Sequence, residues 1–181
     1  MAERSHYLDI LLREPTIGHQ LHARLLSAAH ARIANGDDIA VSWPDWRPTP
    51  GEFGLMFRVF GLPSALTNYT MAVDALVERG LIRLFPVAAV PETSASVCFA
   101  RDRGVDKASP SRLSRLRARA AARGEAVPSE LLEVKAPRPR HFLWMQSTTT
   151  GQNFSLSIVR QPTSKADGGR NYGLGVLVPE F

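Results

Sequence analysis

Five histidines, at positions 6, 19, 22, 30 and 141, are the residues in this chain best suited to moving a proton near neutral pH. An imidazole has an ordinary pKa of ~6.5, so it can act as base or acid under working conditions. No two of the five have the H-x-x-x-H spacing and acidic companion that a metal site asks for. The single cysteine, Cys98, builds neither a zinc site nor an internal disulfide. Metal hydrolysis is therefore not expected, and no cofactor is implied. The histidines differ in their setting. From Gly18 to Asn35 the apolar residues Leu21, Leu25, Leu26, Ala29 and Ile33 recur at helical spacing, and Asn35-Gly36 supplies a left-handed stop. His22 falls inside the apolar arc and reads as a packed core histidine. His30 falls at its edge, where it can face a cleft.

The elements around that helix follow from periodicity. Tyr7 to Leu12 alternates, with Leu8, Ile10 and Leu12 on one face, and reads as a strand ended by Pro15. Ile39 to Trp43 and Phe53 to Phe60 read as strands separated by a loop through Pro44, Pro48 and Pro50. A second helix follows, capped by Ser64, striped by Leu66, Val73, Leu76 and Val77 and ended by Gly80, before the apolar run Leu81 to Val90. Strand, helix, strand, strand, helix, strand is the ferredoxin-like βαββαβ pattern, which predicts an α+β protein with that domain over residues 1–92. Fold alone decides no function.

The second half, residues 93–181, carries the charge. Residues 101–140 hold eleven Lys or Arg against five Asp or Glu, whereas the whole chain of 181 residues is only +5. A basic excess confined to one segment is the footprint of a polyanion partner; its bland alternative is a solvated basic face. Ser94 to Ala100 reads as a strand running into Arg101, Asp102 and Arg103. A helix of about residues 110–123 then starts at Ser109-Pro110 and ends at Gly124. On a 3.6-residue wheel Arg112, Arg119 and Arg123 fall within ~40° of one another, with Arg115 ~60° to one side. Leu113 and Leu116 are too few to bury that helix, so the basic stripe projects outward. Phe142 to Phe181 returns to short strand-like runs joined by Gly- and Ser/Thr-rich turns. No apolar stretch reaches the ~20 residues of a membrane span, and Met1 to Leu12 lacks a signal-peptide hydrophobic region. A cytoplasmic protein without membrane partners is expected.

Three stretches together resemble the CRISPR type I-F repeat-processing endoribonucleases. They are His6-Tyr7-Leu8-Asp9-Ile10, then Val41-Ser42-Trp43-Pro44-Asp45, then Ser147-Thr148-Thr149-Thr150-Gly151-Gln152-Asn153-Phe154 followed by Tyr172-Gly173-Leu174 and Val178-Pro179-Glu180-Phe181. The resemblance spans nearly the whole chain, and the arginine helix lies between its parts. It implies a ferredoxin-like N-terminal domain, an RNA-binding C-terminal region, and a metal-independent cut at the 3′ base of a CRISPR repeat RNA hairpin by the RNA's own 2′-hydroxyl. It also implies that the enzyme stays on the guide RNA with other subunits of the type I-F surveillance complex.

Residue by residue, the resemblance makes His30 the base that takes the 2′-hydroxyl proton. Ser147 then holds the 2′-oxygen or the histidine, a role that a slip of one or two positions passes to Thr148 or Thr149. Tyr172 is implied to orient His30; the plainer alternative is a packed aromatic in a Gly-rich turn. For RNA binding it implies Phe154 stacking on the terminal base pair, although a strand residue is equally a core residue. Thr149 and Gln152 belong to the same segment. Arg101 and Arg103 stand where the family has an Arg-x-Gln pair reading base edges, and arginine in the second place favours guanine over adenine. Lys107, Arg112, Arg115, Arg119 and Arg123 are implied to meet phosphates. Two other readings stay open: a module that binds the hairpin without cutting it, and a basic scaffold binding nucleic acid without sequence preference.

Overall fold

The computed structural model describes residues 4–92, 95–102, 110–125, 141–147, 150–161 and 171–181. Strand β1, His6–Leu12, alternates as its sequence dictates: Leu8, Ile10 and Leu12 are buried, while Tyr7, Asp9 and Leu11 are only partly covered. Helix α1, Gly18–Ala34, buries Leu21, His22, Ala23, Leu25, Leu26 and Ala29. It stops where Asn35 caps it and Gly36 turns left-handed at φ 97°. Strand β2, Ala40–Ser42, and strand β3, Met56–Gly61, follow, then helix α2, Pro63–Glu78, and the short strands β4, Ile82–Leu84, and β5, Ala88–Ala89. The sheet runs β2-β3-β1-β4 with β5 also on β1, and all its pairings are antiparallel.

Three boundaries differ from the sequence reading, each for a local reason. Strand β3 starts at Met56 rather than Phe53, because Gly54 sits at φ 78° with its backbone against Asp45. A Cβ there would stand 2.2 Å from the Asp45 Cβ, so the close approach needs glycine and breaks the extended run. Helix α2 begins at Pro63, whose missing N–H costs nothing in a first turn; Ser64 lies within the helix and does not cap it. The run from Leu81 to Val90 is interrupted between β4 and β5, where Pro86 cannot donate to a ladder.

The second half forms its own sheet. Strands β6, Ser96–Arg101, β7, His141–Gln146, β8, Asn153–Gln161, and β9, Leu177–Pro179, run in the order β7-β8-β6-β9, again antiparallel. Helix α3, Pro110–Arg123, lies between β6 and β7 in sequence. The chain is thus α+β. One continuous core joins the two sheets, from Leu8, Ile10 and Phe57 to Phe99, Leu143, Leu156 and Val178. No helix among the described residues is long and apolar enough to cross a membrane.

His22 is the core histidine that its place in the apolar arc predicts, at 1% exposure. The Trp43 indole N–H donates to its Nδ1 at 3.2 Å, and its Nε2 meets the Gly54 carbonyl at 3.0 Å. An indole can only donate and a carbonyl can only accept, so the ring is neutral with its proton on Nε2. Burial lowers its pKa to about 4, and the Gly54 bond opposes that only in part. The folded value lies below the unfolded one, so the neutral ring's contribution is whole above ~6.5 and is lost as pH falls through about 4. Unfolding free energy should fall by about 2 kcal/mol between pH 7.5 and pH 5 from this group. Urea titrations at the two pH values test this: the His22→Gln variant should show a shallower pH slope, and an unchanged slope would contradict the assignment.

Candidate active site

His30 lies one turn after Leu26 on α1, at the edge of the buried stripe, and is half-buried. Its partner comes from 142 positions further along the chain. The turn Asn171–Gly173 holds Tyr172 at φ 67°, ψ 9°, the one non-glycine residue at positive φ among those described. That conformation is uncommon for a bulky side chain and marks a position fixed by its surroundings. Gly173 fixes it from the next position: a Cβ there would stand 3.1 Å from the Ile39 carbonyl oxygen and 3.2 Å from the Ala40 Cα. The turn is thereby pressed onto the start of β2, and the Tyr172 ring lies over His30 with centroids 4.2 Å apart and planes 21° from parallel.

The stack has a chemical consequence. His30 Nδ1 is buried and has no hydrogen-bond partner among the described residues. With Nδ1 enclosed, Nε2 is the nitrogen left to meet a proton donor from outside. Orientation of the ring then rests on the face of Tyr172 and on helix packing. Burial raises the Tyr172 pKa and the nearby Arg101 charge lowers it, with burial prevailing, so the phenol stays protonated at neutral pH. Arg101 itself is exposed at the end of β6.

Ser147 follows directly on β7, in the turn to β8. Its N–H donates to the Gln152 carbonyl at 2.9 Å, its carbonyl accepts from Gly151 N–H at 2.8 Å, and its hydroxyl accepts from Thr150 N–H at 3.2 Å. Gln146 braces the same turn through its side-chain amide, which donates to the Gly151 carbonyl at 3.1 Å. Among the described residues no hydrogen bond joins Ser147 to either ring of the His30–Tyr172 pair. Helix α1, however, packs on both β7 and the Tyr172 turn. Strand β7 starts near the beginning of that helix: His141 stacks on Trp46 at 3.7 Å and meets Phe53 at 5.3 Å, and Phe53 in turn meets His19 at 5.7 Å.

Cross-strand partners share a face, which orders the rest of the candidate residues. Arg101, Ile158 and His141 form one row on the face toward α1, Leu156 and Leu143 the next, and Phe154 and Met145 the last before the Ser147 turn. Phe154 is half-buried and packs against the core. Gln152 is exposed in the turn, with its carbonyl held by Ser147. On α3, Leu113 is buried and Leu116 partly so, while Arg115, Arg117, Arg119 and Arg123 are exposed; Arg123 also lies 3.9 Å from Glu125. Arg103, Lys107, Thr148 and Thr149, and the side chain of Arg112, lie outside the described residues.

A family model for CRISPR-associated protein Csy4 matches residues 7–181, nearly the full length. The chain belongs to the Csy4 family. Members are type I-F proteins that bind CRISPR repeat RNA and process it as endoribonucleases, so this is an RNA-cleaving member of a CRISPR system. No curated protein matches the chain closely enough to count as a relative. The resemblance implied that Tyr172 orients His30, and the structure stacks the two rings; it joins Ser147 to neither by a hydrogen bond among the described residues. Sequence reading did not reach the proximity of Arg101 to Tyr172, for which no spacing rule gives a signal across 71 positions.

Proposed function

We propose that this Csy4-family chain cuts its repeat RNA at the 3′ base of the hairpin, without a metal ion, by attack of the RNA's own 2′-hydroxyl. His30 Nε2 takes the 2′-hydroxyl proton; the 2′-oxygen bonds to the adjacent phosphorus; the P–O5′ bond breaks. The products are a 2′,3′-cyclic phosphate and a 5′-hydroxyl, with the leaving oxygen taking its proton from water. Tyr172 holds the imidazole plane, and Ser147 holds the nucleophilic oxygen. The observation that carries this reading is the His30–Tyr172 stack with Nδ1 enclosed, which orients one basic nitrogen toward an approaching ligand.

Ser147's part is supported by the packing of α1 along β7. Starting side by side, six strand residues advance ~20 Å and the helix from His19 to His30 ~16 Å, which brings the Ser147 turn toward the His30 end. Phe154, in the last row before that turn, is suitably sited to stack on the hairpin's terminal pair. Arg101, with Arg103, reads base edges beside it; Lys107, Arg112, Arg115, Arg119 and Arg123 hold phosphates, and Thr149 and Gln152 line the turn. The N-terminal unit, residues 1–92, is ferredoxin-like: the antiparallel order β2-β3-β1-β4 with helices after β1 and β3 supports this. The unit 93–181 supplies RNA binding. The enzyme works in the cytoplasm and remains on the product as a subunit of the type I-F interference complex.

End analysis of the products tests the chemistry. A transcript carrying the repeat should yield an upstream fragment that resists 3′ labelling until its cyclic phosphate is removed. A fragment with a free 3′-hydroxyl would contradict 2′-hydroxyl attack.

A further inference from the structure

Strand β7 alternates without exception: His141, Leu143 and Met145 are buried, and Phe142, Trp144 and Gln146 are exposed. The exposed set includes two aromatic rings. Trp144 is 67% exposed and Phe142 37%, and they meet edge to face at 5.9 Å and 90°. Their cross-strand neighbours on β8 are Ser157 beside Phe142, Ser155 beside Trp144, and Asn153 beside Gln146. Among the described residues of β7 and β8 this face thus offers π surfaces with small hydroxyl and amide groups and no carboxylate; Asp102 borders it, its N–H donating to the Ser157 carbonyl at 2.8 Å.

From these features we infer that the outer face of β7, centred on Trp144, binds the unpaired RNA that continues 3′ of the hairpin, by stacking. The inference rests on the RNA-cutting reading above, which brings the hairpin's foot to the Ser147 turn. Trp144 precedes Ser147 by three residues, about 10 Å along the strand. The inner face of the same two strands is filled, with Leu143 and Leu156 at 0%, Ile158 at 1% and Met145 at 2% exposure, and α1 packs upon β7. The outer face is open at both rings. Stacking on an aromatic ring is tolerant of base identity, since every base has a π face, which suits RNA lying outside the recognised hairpin.

Binding measurements with RNA carrying 2′-deoxy at the scissile nucleotide, with and without a short unpaired 3′ extension, test this at fixed salt. Wild-type protein should bind the extended RNA about 5- to 100-fold more tightly than the bare hairpin, whatever the extension's sequence. Trp144→Ala should remove that preference, Trp144→Phe should keep most of it, and both should bind the bare hairpin as wild type does. Equal weakening of both RNAs by Trp144→Ala would overturn the inference, as would an extension that adds nothing to wild-type binding. The latter outcome leaves the rings to a protein partner while the RNA-cutting reading stands. A wild-type protein that binds no hairpin at all would instead overturn both.

Discussion

Replacing His30 with alanine is expected to slow repeat cleavage by about 10²- to 10⁴-fold, the range typical of a positioned general base, while hairpin affinity changes by less than about threefold. The expected asymmetry follows from the geometry. His30 contributes one enclosed and one reachable nitrogen to the site, whereas the arginines assigned to phosphate contacts lie elsewhere, on α3. Single-turnover cleavage and equilibrium binding on the same RNA separate the two effects. Loss of affinity in parallel with rate would instead make His30 a binding residue. The His30→Gln variant serves as a control, since an amide fills similar space and cannot accept the proton.

The second large effect concerns stability. Replacing Asp9 with alanine should lower unfolding free energy by about 3–5 kcal/mol, because it leaves a buried guanidinium without its counter-charge. Arg58 is 7% exposed and faces Asp9 across the β1–β3 ladder. Its Nε donates to one Asp9 carboxylate oxygen at 2.6 Å and its Nη2 to the other at 2.9 Å. The same guanidinium lies 4.7 Å from the Tyr7 ring centroid and 4.0 Å from that of Phe181, and donates from Nη1 to the Phe181 carbonyl at 3.0 Å. One side chain thus ties the first sheet to the segment that follows β9. A double replacement, Asp9→Leu with Arg58→Met, should recover much of the loss, since no charge is then left buried. Denaturant titration checks both variants, and a loss below about 1 kcal/mol in the single variant would show the pair to be solvated.

Asp9 also shows what strand patterns in the sequence can and cannot reveal. Alternation in Tyr7 to Leu12 placed it on the face away from Leu8 and Ile10, but which residue neutralises it depends on register with a strand nearly fifty positions away. The same limit applies to the site. His30 was legible as a histidine at the rim of an apolar stripe, and the family resemblance gave it a task. The resemblance also implied that Tyr172 orients it, but the stacked geometry was not legible, because it depends on a left-handed turn pressed onto β2 by Gly173. Helix bounds were read to within a residue or two, from the buried stripe in α1 and from the proline start and glycine stop in α3. Boundaries failed where a backbone contact overrode the pattern, as Gly54 against Asp45 does at the start of β3. In β7 the alternation is present in His141 to Gln146 itself, yet that the Trp144 face is the exposed one is a tertiary fact.

Cleavage by the RNA's own 2′-hydroxyl, with His30 as base, requires no metal ion and an intact 2′-hydroxyl at the scissile nucleotide. Its most direct test is cleavage of the cognate repeat hairpin by wild-type protein in excess EDTA, beside the same hairpin with a single 2′-deoxy substitution at the scissile nucleotide. The unmodified RNA is expected to be cut at its ordinary rate in EDTA, and the 2′-deoxy RNA to be bound and left whole. Cleavage of the 2′-deoxy RNA, or cleavage of the unmodified RNA only after a divalent metal is added, would refute 2′-hydroxyl attack without a metal.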